Sequence, residues 1–284
     1  MKKAIILIVL VTISLTSEAQ QLQQLWKVEQ LQAPESVVHH DGHFYVSNVS
    51  GQPAEKNGRG FISKINKDGD IVSLKWVTGF NAPKGLGIYQ NKLYVADIDR
   101  VAKVDIATGT VDQWIEAKGA TFLNDIEVSE TGSIYVSDTF GGNRIYHIKN
   151  DHIETLLHDE RLNYPNGLKL KNGVLYVATW GVVTNPETFE TETPGSLLAI
   201  NLKDKSISRQ VSTIGNLDGL VNYQDGFIIS DWISGDLKVI NGQNQVKDLA
   251  KLNSGTADIS FIASENLLLV PIMLSGELIA YRLN

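Results

Sequence analysis

The sequence predicts an all-β fold, a six-bladed β-propeller of four-stranded blades. Six related strings recur along the chain, YVSN, YVAD, YVSD, YVAT, IISD and LLVP, which begin at Tyr45, Tyr94, Tyr135, Tyr176, Ile228 and Leu268. Their spacings of 49, 41, 41, 52 and 40 residues match the repeats of about 40 to 50 residues that form propeller blades. Short runs of β-branched and aromatic residues separate Gly, Asn and Asp turns, and no helical period interrupts them.

Hairpin turns and a surplus strand complete this prediction. A second strand precedes each of the first five strings, across turns at Asp41-Gly42, Gln90-Asn91, Thr131-Gly132, Asn172-Gly173 and Asp225-Gly226. These are residue types that tight hairpins require. The last repeat is one strand short after residues 278–283, whereas residues 25–31 form a strand without a repeat. Pairing these two segments would complete the sixth blade and remove an exposed sheet edge.

The amino terminus predicts export. Lys2 and Lys3 precede an apolar stretch from Ala4 to Leu15 and a small-residue segment that ends at Ala19, the order found in signal peptides. We therefore expect a signal peptide over residues 1–19 and one propeller domain over residues 20–284. This apolar stretch is too short to span a bilayer core of about 30 Å, so no membrane attachment is expected after cleavage.

The amino-acid composition limits the kinds of partner and the cellular compartment that we expect. The chain has no cysteine, so it cannot be a lipoprotein or use a thiol nucleophile, and the mature protein is expected to be secreted or periplasmic. A net charge of −7 without a basic cluster argues against nucleic acid as a partner. A small-molecule substrate is expected, and the sequence leaves the oligomeric state open.

The ends of the predicted hairpins form a column of polar residues. A hairpin brings the start of its first strand beside the end of its second, so both positions should share one face of the molecule. The aligned strand starts are Glu35, Lys84, Asn124, Asn166, Asp218 and Ala257. The aligned strand ends are Asn48, Asp97, Asp138, Thr179, Asp231 and Pro271. We expect all of these positions to ring one mouth of the central channel.

The oxygen-bearing side chains in this column indicate a cation site. Acids that converge on one small mouth repel one another and are costly to desolvate without a counter-charge. Oxygen ligands without thiol or imidazole select a hard divalent cation, with Ca²⁺ first, Mg²⁺ or Mn²⁺ as alternatives and Zn²⁺ behind them. The expected metal ligands are Glu35, Asn124, Asn166 and Asp218.

The motifs around these residues resemble those of the senescence marker protein, gluconolactonase and luciferin-regenerating enzyme family. The likeness rests on a Glu in the first repeat and on the motifs Leu123-Asn124-Asp125, Pro165-Asn166-Gly167 and Asp218-Gly219 in the third, fourth and fifth. It spans the mature chain repeat by repeat. The resemblance implies a six-bladed propeller with one catalytic divalent metal ion at its mouth, which hydrolyses sugar lactones or related esters.

The same resemblance implies roles for individual residues. Glu35, Asn166 and Asp218 match the metal ligands, and Asn124 matches an Asn that binds metal-bound water or substrate. Members of the family often place an Arg two residues before that Asn, where this chain has Phe122. We therefore expect a less polar lactone or ester as substrate.

A hydrolytic mechanism assigns further roles at the mouth. The cation would polarise the carbonyl group and lower the pKa of a water molecule, and Asp218 would act as base or nucleophile. Asn124 would orient the substrate. Lys84 would stabilise an oxyanion or, the favoured alternative, pair with Asp97 across its hairpin.

The walls of the site are expected to come from insertions on the mouth face. The segments 50–60 and 181–195 account for the two longest repeat spacings. Trp180 and Trp232 directly follow strand ends, and they would either line the entrance for substrate or pack between blades.

Two other function classes fit the sequence. One is a non-catalytic propeller that binds a ligand or protein at a mouth plugged by the cation. The other is an enzyme like strictosidine synthase, which shares the architecture but would not need the four metal-ligand residues.

Overall fold

The protein is a ring of antiparallel sheets around a central channel. A computed structural model describes residues 22–185 and 188–284. Six sheets form the six blades, which confirms the predicted propeller. Within these ranges no helix is long and apolar enough to cross a bilayer. The predicted signal peptide lies outside the described residues.

The first strand along the chain, β1 (Leu22–Val28), belongs to the sixth blade. Blade 1 contains β2 (Pro34–His40), β3 (His43–Asn48), β4 (Gly60–Asn66) and β5 (Ile71–Phe80). Blade 2 contains β6 (Pro83–Tyr89), β7 (Lys92–Asp97), β8 (Arg100–Asp105) and β9 (Thr110–Glu116). Blade 3 contains β10 (Leu123–Val128), β11 (Ile134–Asp138), β12 (Arg144–Lys149) and β13 (His152–His158), followed by a short 3₁₀ turn at Glu160–Leu162.

Blade 4 contains β14 (Pro165–Lys171), β15 (Val174–Thr179), β16 (Gly181–Asn185), β17 (Glu190–Asn201) and β18 (Ile207–Gly215). Blade 5 contains β19 (Leu217–Tyr223), β20 (Gly226–Asp231), β21 (Asp236–Ile240) and β22 (Val246–Lys251). Blade 6 contains β23 (Ser260–Ile262), β24 (Leu267–Ile272) and β25 (Glu277–Leu283), with a 3₁₀ turn at Ala263–Glu265.

Blade 4 is extended on the mouth side. Strand β16 pairs with the first half of β17, and the second half of β17 pairs with β15 and β18 inside the blade. The segment 181–195, expected as a loop, is therefore built largely as a β-hairpin. The pairing of β16 with β17 contains two register shifts, and Trp180 and Phe189 from this part of blade 4 line the mouth cavity.

The ring closes through its two ends, as predicted. Strand β1 pairs antiparallel with β25, with Leu22 opposite Leu283 and Val28 opposite Leu278. The strand lies three residues earlier than the expected 25–31. After Val28 the chain turns toward the mouth, where the amide of Leu31 donates to the carbonyl of Gly276 at 3.2 Å.

Apolar packing holds each blade to its neighbours. Six clusters of buried hydrophobic residues each join two adjacent blades, so every interface around the ring has its own core. In the interface between blades 2 and 3, for example, Ala96 and Leu123 are buried in one cluster. Burial of apolar area on this scale is the main stabilising contribution.

A repeated bulge at the inner strands aims polar residues at the channel. In β2, Pro34 lies opposite Asn48 and Val37 opposite Val46, so three steps on one strand match two on the other. The same shift recurs in β6, β10, β14 and β19. A bulge adds one residue and re-aims the side chains that follow it. The second residue of each of these strands consequently lines the channel mouth.

Removing β1 should open the ring. A chain that begins at residue 30 loses the partner of β25 and the buried Val28 side chain. We expect its free energy of unfolding to fall by at least about 3 kcal/mol, since each buried large apolar side chain contributes roughly 1.5–3 kcal/mol and an unpaired edge promotes association. Urea unfolding and gel filtration check this against a chain that begins at Leu22. Equal stability of the two chains would contradict the closure.

Candidate functional site

A cavity of about 560 Å³ opens at the mouth of the channel. Five strands contribute their second residues to its lining, one from each of blades 1 to 5: Glu35, Lys84, Asn124, Asn166 and Asp218. The structure therefore brings together all four predicted metal ligands. Ala257, the sixth member of the aligned column, is buried but does not line the cavity.

Glycine lets the inner strands approach one another at this ring. Asn166-Gly167 resembles a turn in the sequence, but both residues lie within β14. A Cβ atom at Gly167 would collide with the carbonyl oxygen of Asp218 on the next blade. The glycine therefore serves close approach of the two strands that carry Asn166 and Asp218.

The strand-end residues, expected in the ring, do not line the cavity, and all except Pro271 accept hydrogen bonds from backbone amides. Asp97 accepts hydrogen bonds from the amides of Asn81 and Ala82 at 2.9 and 2.8 Å. Asp138 accepts from the amide of Phe122 at 2.8 Å. Asn48, Thr179 and Asp231 accept corresponding bonds from the amides of Gln32, Ser196 and Ser234. None of the six strand-end residues is among the described residues that line the cavity, so the expectation that all twelve positions ring the mouth is wrong for this half. Five of them bond instead to backbone amides.

Three of the predicted ligands have a buried oxygen without a hydrogen-bond partner. These atoms are Oε2 of Glu35, Oδ1 of Asn124 and Oδ1 of Asn166. The Asn166 amide is oriented by its Nδ2, which donates to the carbonyl of Leu217 at 3.2 Å. Buried polar atoms are almost always paired in folded proteins, so three unpaired oxygens in one cavity point to a missing electropositive partner.

The side-chain oxygens in the cavity fit a hard divalent cation, provided that Asn amide oxygens are among the ligands. Two carboxylates, Glu35 and Asp218, would balance a double positive charge, and Asn124 and Asn166 would add neutral oxygens. Within residues 22–185 and 188–284, no three His, Cys, Asp or Glu side chains form a group that could hold a metal. A site here therefore requires the two Asn residues as ligands.

Burial penalises the charges of both carboxylates. It raises the pKa of Asp218 to about 8, with a further increase from the charge of Asp125. It also raises the pKa of Glu35 well above its ordinary value, and the charges of Asp218 and Asp258 act in the same direction. Without a cation, both groups therefore favour the protonated form near neutral pH.

Lys84 does not make the expected ion pair with Asp97. Asp97 pairs instead with Arg100, at 3.0 Å. The ammonium group of Lys84 donates to the carbonyl of Ala82 at 3.2 Å and lies 4.2 Å from the centre of the Phe122 ring. Burial lowers the pKa of Lys84 to about 8, against the opposing effect of Glu35 and other acids.

One wall of the cavity is a row of aromatic rings. Phe122 contacts Phe140 with ring centres 4.9 Å apart, Phe140 contacts Trp180 at 5.5 Å, and Trp180 contacts Trp232 at 5.9 Å. Phe189 from the β16–β17 hairpin packs on Phe140 at 4.8 Å. Both predicted tryptophans thus line the cavity and also pack on their neighbours. Phe189 lies in the predicted insertion 181–195, whereas Phe140, in the connection that follows β11, was not predicted.

The opposite wall comes from blade 1 and blade 6. Gly51, Gln52 and Pro53 of the predicted insertion 50–60 line the cavity. The turn between β24 and β25, residues 273–276, also lines it and was not predicted. Leu274 in this turn is 65 % exposed, which adds apolar surface to the rim.

A second cavity, of about 530 Å³, lies at the other end of the channel. Asp125, Glu127, Lys169 and Asp258 line it. Asp258 accepts a hydrogen bond from Ser36 at 2.6 Å, and Lys169 pairs with Glu127 at 2.7 Å. These groups were absent from the sequence prediction, although Asp125 and Asp258 each directly follow a member of the aligned column. Their charges act on the mouth, since both raise the pKa of Glu35.

Comparison with known proteins places the fold among six-bladed propellers. A gluconolactonase from Xanthomonas campestris is 16% identical over 93% of this chain and 90% of its own, with a TM-score of 0.67. A virginiamycin B lyase from Staphylococcus aureus, a catalytically inactive His-to-Ala variant with quinupristin, is 13% identical over 93% and 100%, with a TM-score of 0.62. The chain shares the fold of these propellers. Membership of the family named above stays a prediction at these identities.

Further comparisons add one structural match and no sequence match. A structure of a nidogen/laminin complex matches 80% of this chain and 91% of the other, at 13% identity and a TM-score of 0.60. No protein-family model and no characterised protein sequence matches the chain. The fold is therefore compatible with both catalytic and binding propellers.

The strand-end acids should be structural. Replacing Asp97 with Ala leaves the Asn81 and Ala82 amides and the Arg100 guanidinium without their partner. We expect a loss of about 2–4 kcal/mol in the free energy of unfolding, measured by urea denaturation. A change below about 0.5 kcal/mol, the size typical of neutral surface substitutions, would contradict this assignment.

The mouth carboxylates should make the cation-free protein less stable as pH rises. A carboxyl group whose pKa is higher in the folded chain binds more protons when folded, so the free energy of unfolding falls with increasing pH. For Asp218 the window runs from its ordinary value of 3.8 to about 8, and Asp125, whose pKa rises to about 6, acts with the same sign.

Urea unfolding of chelator-treated protein at pH 5 and pH 8 measures this effect. We expect a decrease of at least about 1.4 kcal/mol at pH 8, the equivalent of one pKa unit. Asp218→Asn should reduce the slope, and Ca²⁺ should restore stability at pH 8 in the wild type. A wild-type profile without slope would contradict the buried charges.

Proposed function

We propose that the protein is a hydrolase that uses one divalent cation to cleave a lactone or related ester with an apolar substituent. The observation that carries this proposal is the set of three unpaired, buried oxygens of Glu35, Asn124 and Asn166 beside Asp218 in the mouth cavity. The shared fold with a gluconolactonase supports the reaction class.

Glu35, Asn124, Asn166 and Asp218 would hold the cation. Bound there, a divalent cation would supply Lewis-acid polarisation of the substrate carbonyl. Ca²⁺ is proposed first, because the ligands are carboxylate and amide oxygens. The amide nitrogen of Asn166 stays bonded to the carbonyl of Leu217, so that its oxygen remains directed at the site.

Asp218 is proposed to accept the proton of the attacking water. The water oxygen forms a bond to the carbonyl carbon, the bond to the alkoxy oxygen breaks, and the proton held by Asp218 passes to that leaving oxygen. The position of Asp218 supports this role, because its carboxylate lines the cavity beside the other proposed ligands and can reach a water molecule there. Asn124 is proposed to hold the substrate beside it.

The aromatic row favours a substrate with an apolar part. The aromatic side chains on one side of the cavity give it an apolar surface: Phe122, Phe140, Trp180 and Trp232. A ring or alkyl chain packed on this wall would be held by apolar burial. A lyase reaction is less well supported, since the described residues that line the cavity include no His, whereas replacement of a His accompanies loss of catalysis in the Staphylococcus aureus lyase.

Metal analysis and a chelator-controlled panel of aliphatic, aromatic and sugar lactones test the proposal. Wild type should bind about one divalent cation per chain, and activity should disappear with chelator and return with the cation. Asp218→Asn should lower kcat/KM by about 100-fold or more, and Glu35→Gln should lose the metal. Asp68→Asn, a matched change at an exposed carboxylate, should alter neither.

The outcomes separate the three function classes. A bound cation without chelator-sensitive turnover would replace the hydrolase with a non-catalytic binding propeller. A protein without a bound cation would contradict both. Lactone hydrolysis that is insensitive to chelator would contradict the role of the cation, whereas a protein with neither bound cation nor lactone hydrolysis would leave an enzyme of the strictosidine synthase kind.

A further inference from the structure

Lys84 is an unusual residue in the mouth cavity, because its ammonium group is buried and makes no ion pair with any described residue. The residue is only 2% exposed. Among the described residues, no carboxylate lies within ion-pair distance of its ammonium group, and the Ala82 carbonyl is the acceptor it reaches, at 3.2 Å. An ammonium group has three N–H donors. Two donors are therefore available to a ligand, and burying them unpaired is costly.

Among the described residues that line the cavity, the charged side chains leave one positive charge in excess once a cation is bound. The ionisable residues of this part of the lining are Glu35, Lys84 and Asp218. With the cation of the proposed function in place, the two carboxylates offset its charge and the Lys84 ammonium remains. A ligand with one negative charge would neutralise this balance.

Lys84 also lies beside the aromatic wall, so a negative charge bound to Lys84 would lie next to that wall. Its ammonium lies on the ring of Phe122, 4.2 Å from the ring centre. Phe122 is the first ring of the row that continues through Phe140 to Trp180. The cation–π contact holds the ammonium at one end of the row, so an anionic group and an apolar group of one molecule can bind side by side.

We propose that Lys84 and Phe122 form an anion-recognition site that selects a substrate carrying a carboxylate next to an aromatic or alkyl group. This inference rests on the proposed function, and it names the substrate class as anionic, amphipathic lactones or esters. Lys84 is here a specificity-determining residue that binds the carboxylate, and not a group that stabilises the oxyanion.

Binding of 3-phenylpropionate and of its uncharged amide to the Ca²⁺-loaded protein tests the inference directly. Wild type should bind the carboxylate at least about 10-fold more tightly than the amide, since a charge-assisted hydrogen bond corresponds to roughly 10- to 100-fold in affinity. Lys84→Met should remove this preference while the protein still binds Ca²⁺. Lys56→Met, a change at an exposed lysine in segment 50–60, should keep it.

Turnover provides the second readout. For a matched pair of esters, one with a free carboxylate and one with a carboxamide, Lys84→Met should abolish the preference in kcat/KM, chiefly through KM. Equal affinity of wild type for acid and amide would overturn the inference, as would an equal loss of kcat on both esters in the variant. If neither ester is cleaved but the carboxylate preference depends on Lys84, the anion site stands and the hydrolase proposal fails.

Discussion

The whole site depends on one constraint, the convergence of inner strands on a common axis. Each of five blades begins its inner strand with a bulge, and this bulge turns the second residue into the mouth. Because Gly167 has no Cβ atom, the carbonyl of Asp218 can pack against the neighbouring strand. Ring closure by β1 keeps these strands in place. The ligands therefore come from five separate segments, and their positions are set by the packing of the ring.

The convergence has an electrostatic cost. Two carboxyl groups and one amino group are buried in the same cavity. Burial raises the pKa of both carboxyl groups and lowers the pKa of the amino group, so it favours the neutral form of all three. Natural proteins accept such costs where charge serves a function. The acids at the strand ends of the same hairpins have a different role, because Asp97 and Asp138 accept hydrogen bonds from backbone amides. Similar residues in one repeat thus have opposite roles.

The sequence repeats determine how much of the fold and of the site could be predicted. Blade number, ring closure and the cavity-lining column follow from strings at regular spacing, so Glu35, Asn124, Asn166 and Asp218 could be aligned without coordinates. The direction of the strand-end side chains could not be predicted, because it depends on amides that lie at different places in the blades, such as Ala82 before β6 and Ser234 after β20. Phe140 was missed because it lies in a connection outside the repeated strings. The Lys84–Phe122 contact was missed for a related reason, since it joins two different blades.

The central claim is that the unpaired oxygens at the mouth are ligands of a single cation. Anomalous diffraction from crystals grown with Ca²⁺ tests it most directly. The account predicts one anomalous peak in the mouth cavity, about 2.3–2.6 Å from oxygens of Glu35, Asn124, Asn166 and Asp218. A mouth without such a peak, or a peak only beside Asp125 and Asp258 at the other end of the channel, would contradict it.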